Sequence, residues 1–146
     1  MSRATKYFSI IILLLPMSLV AHALDTIHNF SIAEVLESDT AKNKLVDFKF
    51  YFGDQNPGKI VKTFGTVSTN QKTNSFAKSD QAACEWVFIS ALIELKNRAF
   101  EMGGNAVINI KSNYKDNLTS SNTTFQCGAG AILAGVALQG KVVTLE

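Results

Sequence analysis

The sequence predicts an α+β fold in which one long amphipathic helix packs on a mainly antiparallel sheet of four to five strands, tied by one disulfide. Three observations support this prediction. Apolar side chains recur at helical spacing over residues 80–102, and they alternate with polar ones over residues 46–52. Two cysteines are also placed so that they could join the helix to a strand. We expect one α+β domain at residues 24–146, after a signal peptide at residues 1–23.

Residues 1–23 have the three parts of a secretory signal peptide. Arg3 and Lys6 give a basic start, an apolar stretch interrupted by Pro16 follows, and residues 21–23 form an Ala-x-Ala cleavage site. The apolar run is shorter than the roughly 20 residues that a membrane-spanning helix needs. The sequence therefore predicts cleavage after Ala23 and a periplasmic protein without a stable membrane anchor. Secretion beyond the periplasm stays open as an alternative.

The charge of the mature chain is balanced. The whole sequence has 14 Lys and Arg against 12 Asp and Glu, and two of the basic residues, Arg3 and Lys6, belong to the leader. A protein that binds nucleic acid in general needs a basic surplus to displace the counterions of the phosphates. The composition therefore argues against nucleic acid as a partner.

The two cysteines, Cys84 and Cys127, predict a structural disulfide. An even number of cysteines in an oxidising compartment is typical of a disulfide. The bridge would span 43 positions of the chain, a loop whose closure contributes about 4 kcal/mol in the chain-entropy model. A redox-active pair would have Cys-x-x-Cys spacing, which this sequence lacks.

The mature chain is predicted to begin with little regular structure. Residues 24–30 are interpreted as a lead-in, after which Ser31 can cap a short helix that reaches to about residue 38. Glu34 stands three positions after Ser31, where the partner residue of a capping box is found.

A hairpin is predicted to follow. Residues 46–52 alternate, and residues 59–69 are rich in Val, Ile, Thr and Phe, so both segments are predicted strands. Because turn residues such as Pro57 and Gly58 separate them, we expect the two strands to pair with each other. Residues 70–78 are polar and are predicted to be a loop.

The longest predicted element is the helix over residues 80–102. Ser79 is its expected N-cap, and Gly103 is its expected left-handed stop. We interpret its apolar face as packing against the sheet rather than as a ligand site. This face consists of a stripe and of the side chains that widen it, namely Cys84, Phe88, Ala91, Leu95 and Met102, with Trp86, Ile89, Ile93 and Phe100.

Strands are predicted again after the helix. Residues 106–111 form the first, residues 114–123 a polar loop, residues 124–138 a long β segment and residues 142–145 a short last strand. In strand periodicity one face of the long segment carries Phe125, Cys127, Ala129, Ala131 and Leu133. A buried helix over its Gly- and Ala-rich part is the alternative.

One motif comes close to a phosphate-binding loop. Residues 135–141 match Gly-x-x-x-x-Gly-Lys, but Val142 stands where Ser or Thr would ligate magnesium. Such a loop must also open a helix, and only five residues follow Lys141. Nucleotide binding is therefore not predicted.

No other constellation in the sequence predicts catalysis or a metal site. His28 is the only histidine after the leader, and no Gly-x-Ser-x-Gly turn is present. A zinc site within one chain would need both cysteines, which conflicts with the disulfide. We therefore predict no catalytic residue, no cofactor and no metal ligand.

Several segments resemble a family of small exported bacterial proteins that are often named excinuclease ATPase subunit. The name does not fit the residues, because the phosphate-binding loop is incomplete. The resemblance implies a periplasmic protein and no defined activity. It rests on Phe50-Tyr51-Phe52-Gly53, Phe64-Gly65, Lys72-Thr73-Asn74, Trp86, Arg98-Ala99, Gly104-Asn105-Ala106-Val107-Ile108-Asn109-Ile110, Cys127-Gly128-Ala129-Gly130-Ala131 and Ala134-Gly135-Val136-Ala137-Leu138.

A helix that runs into Asn-Ala-Val-x-x-Ile, with a Gly- and Ala-rich strand near the end, is also similar to two more distant groups. One is the outer-membrane lipoprotein that senses envelope stress for the Rcs phosphorelay, and the other is a pentameric family named for heavy-metal binding. This chain has two cysteines, against four in the lipoprotein, and lacks its lipid-attachment site.

Export, balanced charge and the missing catalytic motifs together predict a non-catalytic periplasmic binding or interaction protein. Its expected partner is another protein of the cell envelope. The alternative is a small-ligand or metal-binding protein with its site at an oligomer interface.

Overall fold

Three helices and seven strands make up residues 25–146, the part of the chain that the computed structural model describes. The predicted signal peptide lies outside the described residues. The elements in chain order are β1 (Thr26–Ser31), α1 (Ile32–Glu37), α2 (Asp39–Lys44), β2 (Lys49–Phe52), β3 (Ile60–Asn74), α3 (Asp80–Met102), β4 (Ala106–Tyr114), β5 (Asn117–Thr119), β6 (Thr124–Ala129) and β7 (Leu133–Leu145).

Helix α3 begins and ends where the sequence predicts. The Ser79 side chain accepts a hydrogen bond from the amide of Ala82 (3.1 Å), and Gly103 has a φ of 89° at the C-terminal end. The predicted apolar stripe is buried except at Met102, which is partly exposed. The prediction that Trp86 and Phe100 belong to the buried face is wrong, because both side chains are half-exposed. Within residues 25–146 no helix has the length and apolarity to cross a bilayer.

The sheet is built around β7. On one side β7 pairs with β3 from Leu133↔Asn74 to Leu145↔Ile60, and on the other it pairs with β6 near its start and with β4 further along. Strand β1 pairs with β6, and β5 folds back on β4. Strand β2 runs parallel to β4. The sheet is therefore larger and more mixed than the four to five mainly antiparallel strands predicted.

The predicted hairpin is wrong. Strands β2 and β3 are not neighbours, because β2 lies beyond β4 and β3 lies beyond β7. Residues 53–59 instead connect β2 with β3 from one side of the sheet to the other. At the start of this connection the amide of Gly53 donates a hydrogen bond to the carbonyl of Ile110 (2.9 Å). Val46 precedes β2 and is exposed, so the alternating pattern starts earlier than the strand.

Two segments that the sequence assigns to loops are strands. Residues 26–30, interpreted as part of a lead-in, belong to β1, which pairs with β6 along its whole length. Strand β3 continues to Asn74 instead of ending at residue 69, because β7 is long enough to pair with it. The short helix α1 is confirmed, with the Ser31 side chain accepting from the amide of Glu34 (3.3 Å), and a second helix, α2, follows it.

The Gly- and Ala-rich region is β structure, so the alternative of a buried helix is wrong. The long predicted segment is divided by a turn at residues 130–132 into β6 and β7. Because of this turn Ala131 and Leu133 are exposed and do not continue the buried face of β6. The predicted polar loop over residues 114–123 contains the short strand β5.

The core lies between α3 and one face of the curled sheet. The rings of Phe88 and Phe125 stack there with centroids 3.8 Å apart. The predicted disulfide is confirmed: Cys84 of α3 and Cys127 of β6 are bonded and fully buried, with their Cα atoms 5.9 Å apart. A smaller apolar cluster forms separately, where Tyr51 packs against Ala106, Ile108, Val143 and Leu145.

Candidate functional site

Strand β3 has one edge without a strand partner in the described part of the chain. Its 15 residues pair with β7 on one side, and no other strand of residues 25–146 pairs with β3. The amide and carbonyl groups of such an edge point away from the sheet and are ready to pair with another extended chain. We call this the β3 edge.

The β3 edge carries little of the protection that exposed edges usually have. Charged residues, prolines and bulges normally discourage pairing with other chains. Strand β3 contains two lysines, Lys62 and Lys72, and no proline. Its register irregularities fall before Thr66, so residues 66–74 form a regular strand, about 30 Å long at the usual rise.

A cleft next to β3 is the second candidate site. It has a volume of about 230 Å³. Its lining includes Gly135 and Ala137 of β7, Asn70 and Lys72 of β3, and Tyr114 at the end of β4. Since Lys72 is paired with Gly135 and Asn70 with Ala137, these four residues lie side by side on neighbouring strands. We call this the Tyr114 cleft.

Gly128 makes room for the ring of Tyr114. A Cβ atom at Gly128 would overlap the Tyr114 ring and hydroxyl oxygen, so any side chain there would force the ring to move. Gly128 is paired with Gly135 across β6 and β7. The absence of a side chain at Gly128 therefore lets the Tyr114 ring lie directly over the sheet.

The hydroxyl of Tyr114 is held by a carboxylate. It donates a hydrogen bond to Oδ2 of Asp25 (2.9 Å), and Nζ of Lys115 lies 3.9 Å from the same oxygen. Burial, together with the hydrogen bond and the negative charge of Asp25, raises the pKa of Tyr114 to about 12. Lys72, which lines the same cleft, is exposed and available to an anionic group.

We expect the stability of the protein to fall between pH 10 and pH 12 because of Tyr114. Its pKa rises from 10.0 to about 12 in the folded protein, so the folded state retains a proton that the unfolded state loses in this window. The contribution is complete below pH 10 and is lost as the pH passes 12. Urea unfolding of wild type and Tyr114→Phe across this range measures it. The two proteins should converge at high pH, and a constant difference would contradict the assignment.

The sequence did not connect the residues that it singled out with either candidate site, although several of them, such as Lys72 and Gly128, line the Tyr114 cleft. Residues 135–141 belong to β7, so the near-match to a phosphate-binding loop is a strand and does not open a helix. Gly135 lines the Tyr114 cleft. His28 lies in β1, with Nε2 3.2 Å from Oδ2 of Asp80 but outside hydrogen-bond geometry.

Sequence reasoning missed both candidate sites. Asp25 and Tyr114 are 89 positions apart, and nothing in their spacing connects them. The available signal was the pair Gly128 and Gly135, which the sequence places in a strand where small residues mark a close contact. Among the described residues no three His, Cys, Asp or Glu side chains gather as possible metal ligands.

Comparison with solved structures finds a distant likeness to a protein of unknown function. No family model and no curated protein matches the sequence. The structure is similar to a crystal structure from Pediococcus pentosaceus of a protein with unknown function, assigned to the DUF74 family, with 17% sequence identity and a TM-score of 0.46. The likeness covers 68% of this chain and 98% of the other. It identifies neither the family nor the function of this chain.

Proposed function

We propose that the mature chain is a non-catalytic periplasmic interaction protein that binds an extended segment of an envelope protein at the β3 edge. The observation that carries the proposal is the 15-residue strand paired on one side only. A chain that adds to such an edge gains main-chain hydrogen bonds along its length.

The β3 edge is already in the conformation that an added strand requires. Strand β3 is paired with β7 over nearly its whole length, so its backbone is already extended. Alternate side chains from Thr66 to Asn74 are exposed and short or polar, which keeps the edge accessible to an incoming strand. The cost of ordering therefore falls on the partner segment.

Site-specific photocrosslinking in cells tests this proposal. A photoreactive amino acid at Ser68, an exposed position of β3, should capture one defined envelope protein. The matched control carries the same amino acid at Asn43, an exposed position of α2, a helix that lies beside Phe48 and Phe50 on the β2 side of the molecule. We expect a discrete crosslinked product at residue 68 and none at residue 43.

The identity of the captured chain decides the result. Capture of the same product from both positions, or of nothing from residue 68, would contradict strand addition at β3. Crosslinking only to a second copy of this chain would also contradict a heterologous partner, and sedimentation of the purified protein would then give the number of copies.

A small-ligand function is the second candidate, and the Tyr114 cleft favours it. Its volume of about 230 Å³ lies below the roughly 300–1,000 Å³ of common ligand pockets, so it suits a small molecule. Asp25 and Lys72 place opposite charges on its walls, which suits a zwitterion. A ligand bound there would change the pKa of the Tyr114 phenol. Titration of the protein in the presence of each member of a panel of metabolites and metals tests this. A response that survives Lys72→Ala would exclude this cleft.

A further inference from the structure

Three large apolar side chains are exposed together at one end of the sheet. Phe76 follows the end of β3 and is 70% exposed, while Ile132 and Leu133, at the turn between β6 and β7, are 65% and 52% exposed. We call Phe76, Ile132 and Leu133 the loop-tip patch. The two turns are neighbours, because Asn74 pairs with Leu133 and the amide of Ser75 donates to the carbonyl of Ile132 (2.8 Å).

The exposure of Phe76 is built into an ordered loop. Ser75 is 4% exposed, and its hydroxyl donates to the carbonyl of Gly130 (2.8 Å). The amide of Phe76 donates to Oδ1 of Asn74 (2.7 Å), and the amide of Lys78 donates to the carbonyl of Ser75 (3.1 Å). The loop therefore buries its serine and presents its phenylalanine to solvent, the reverse of the usual distribution.

The polar groups near the patch are compatible with a membrane interface. Lys78 lies on its rim, with Nζ 3.1 Å from the carbonyl oxygen of Asn74. Of the two carboxylates at this end of the sheet, Asp25 accepts a hydrogen bond from Tyr114, and Asp80 lies 3.2 Å from Nε2 of His28. Long basic side chains at the rim of an apolar surface can reach lipid headgroups while their stems stay among apolar groups.

We propose that the loop-tip patch inserts into the interfacial region of a phospholipid bilayer. The size of the patch favours lipid over a protein partner. Three partly exposed apolar side chains offer a few hundred Å², whereas a specific protein interface buries about 800 Å² on each partner. Aromatic and aliphatic side chains on two adjacent turns can enter the headgroup region without such a matching surface, which gives weak and reversible binding.

Vesicle flotation of the purified mature protein tests this inference. The vesicles contain phosphatidylethanolamine and phosphatidylglycerol, and the protein is measured as wild type and as Phe76→Ser/Ile132→Ser. Wild type should float with the vesicles. The double variant should bind them at least on the order of tenfold more weakly. Because insertion of apolar groups carries the binding, moderate salt should reduce it only slightly.

Val61→Ser is the matched control. Val61 is 61% exposed at the opposite end of β3, so the control removes an exposed apolar side chain outside the patch. It should float like wild type. If wild type does not float, or if the double variant floats as well as the control, the inference is overturned. Thermal unfolding of each variant tests whether it is folded, so that a loss of vesicle binding can be distinguished from a loss of structure.

A fluorescence measurement identifies the inserted residue directly. Trp86 is the only tryptophan of the chain, so Trp86→Phe/Phe76→Trp carries its reporter in the patch. Its emission should shift to shorter wavelength on adding vesicles, and an unchanged emission would contradict insertion of residue 76. The measurement is independent of the β3-edge proposal, because no protein partner is present.

Discussion

Removing the disulfide by Cys84→Ala/Cys127→Ala is expected to lower the free energy of unfolding by about 4 kcal/mol. The bond closes a loop between positions that are 43 residues apart, and it restricts the unfolded chain by that amount in the chain-entropy model. For a domain of this size the loss corresponds to a fall in melting temperature on the order of 15 °C. Urea unfolding followed by circular dichroism measures the difference.

Reduction of the wild-type protein is the control for this prediction. A reductant should destabilise wild type to about the level of the double variant and should leave the double variant unchanged. Because both cysteines are fully buried, we expect reduction to require partial unfolding and therefore to be slow without denaturant. A double variant as stable as wild type would show that the bond adds no net stability.

Phe88→Ala is expected to cost about 3–5 kcal/mol. Phe88 is fully buried on the inner face of α3. Its ring stacks on Phe125 of β6 with a centroid distance of 3.8 Å and lies 6.0 Å from the ring of Phe52. The substitution removes a large apolar group and leaves a cavity where the helix meets two different strands of the sheet.

Phe100→Ala provides the comparison on the same helix. Phe100 is half-exposed and touches Phe48 edge to face, so its removal should cost clearly less than that of Phe88, on the order of 2 kcal/mol. Both variants are measured by urea unfolding under the same conditions. Equal losses for the two variants would mean that the inner face of α3 does not form the main core.

Helices α1 and α3 could be predicted from the sequence because their determinants are local, whereas α2 was missed. Ser79 and Gly103 fix the ends of α3 through bonds to residues within a few positions of the caps. The disulfide was equally accessible, since a chain with two cysteines has one possible intramolecular pair. In α3 only Trp86 and Phe100 were wrongly assigned to the buried face. The apolar residues of α3 extend over a wider part of the helix surface than the sheet covers.

The pairing of the strands could not be predicted in the same way. The alternation in β2 is real, but its partner is β4, more than 50 positions further along the chain, and not the adjacent β3. Alternation reports which face of a strand is buried and carries no information on its neighbour. For the same reason the free edge of β3 becomes visible only when the strand order is known.

The central position of β7 has a consequence for the order in which the chain can fold. This strand pairs with β3, β4 and β6, and it follows all of them in the chain. Before residues 133–145 are available, the three earlier strands lack the partner that joins them into one sheet. A fold dominated by such distant pairings forms slowly compared with a helical bundle. During synthesis the sheet can therefore assemble only as a late, collective event, after its last strand has emerged.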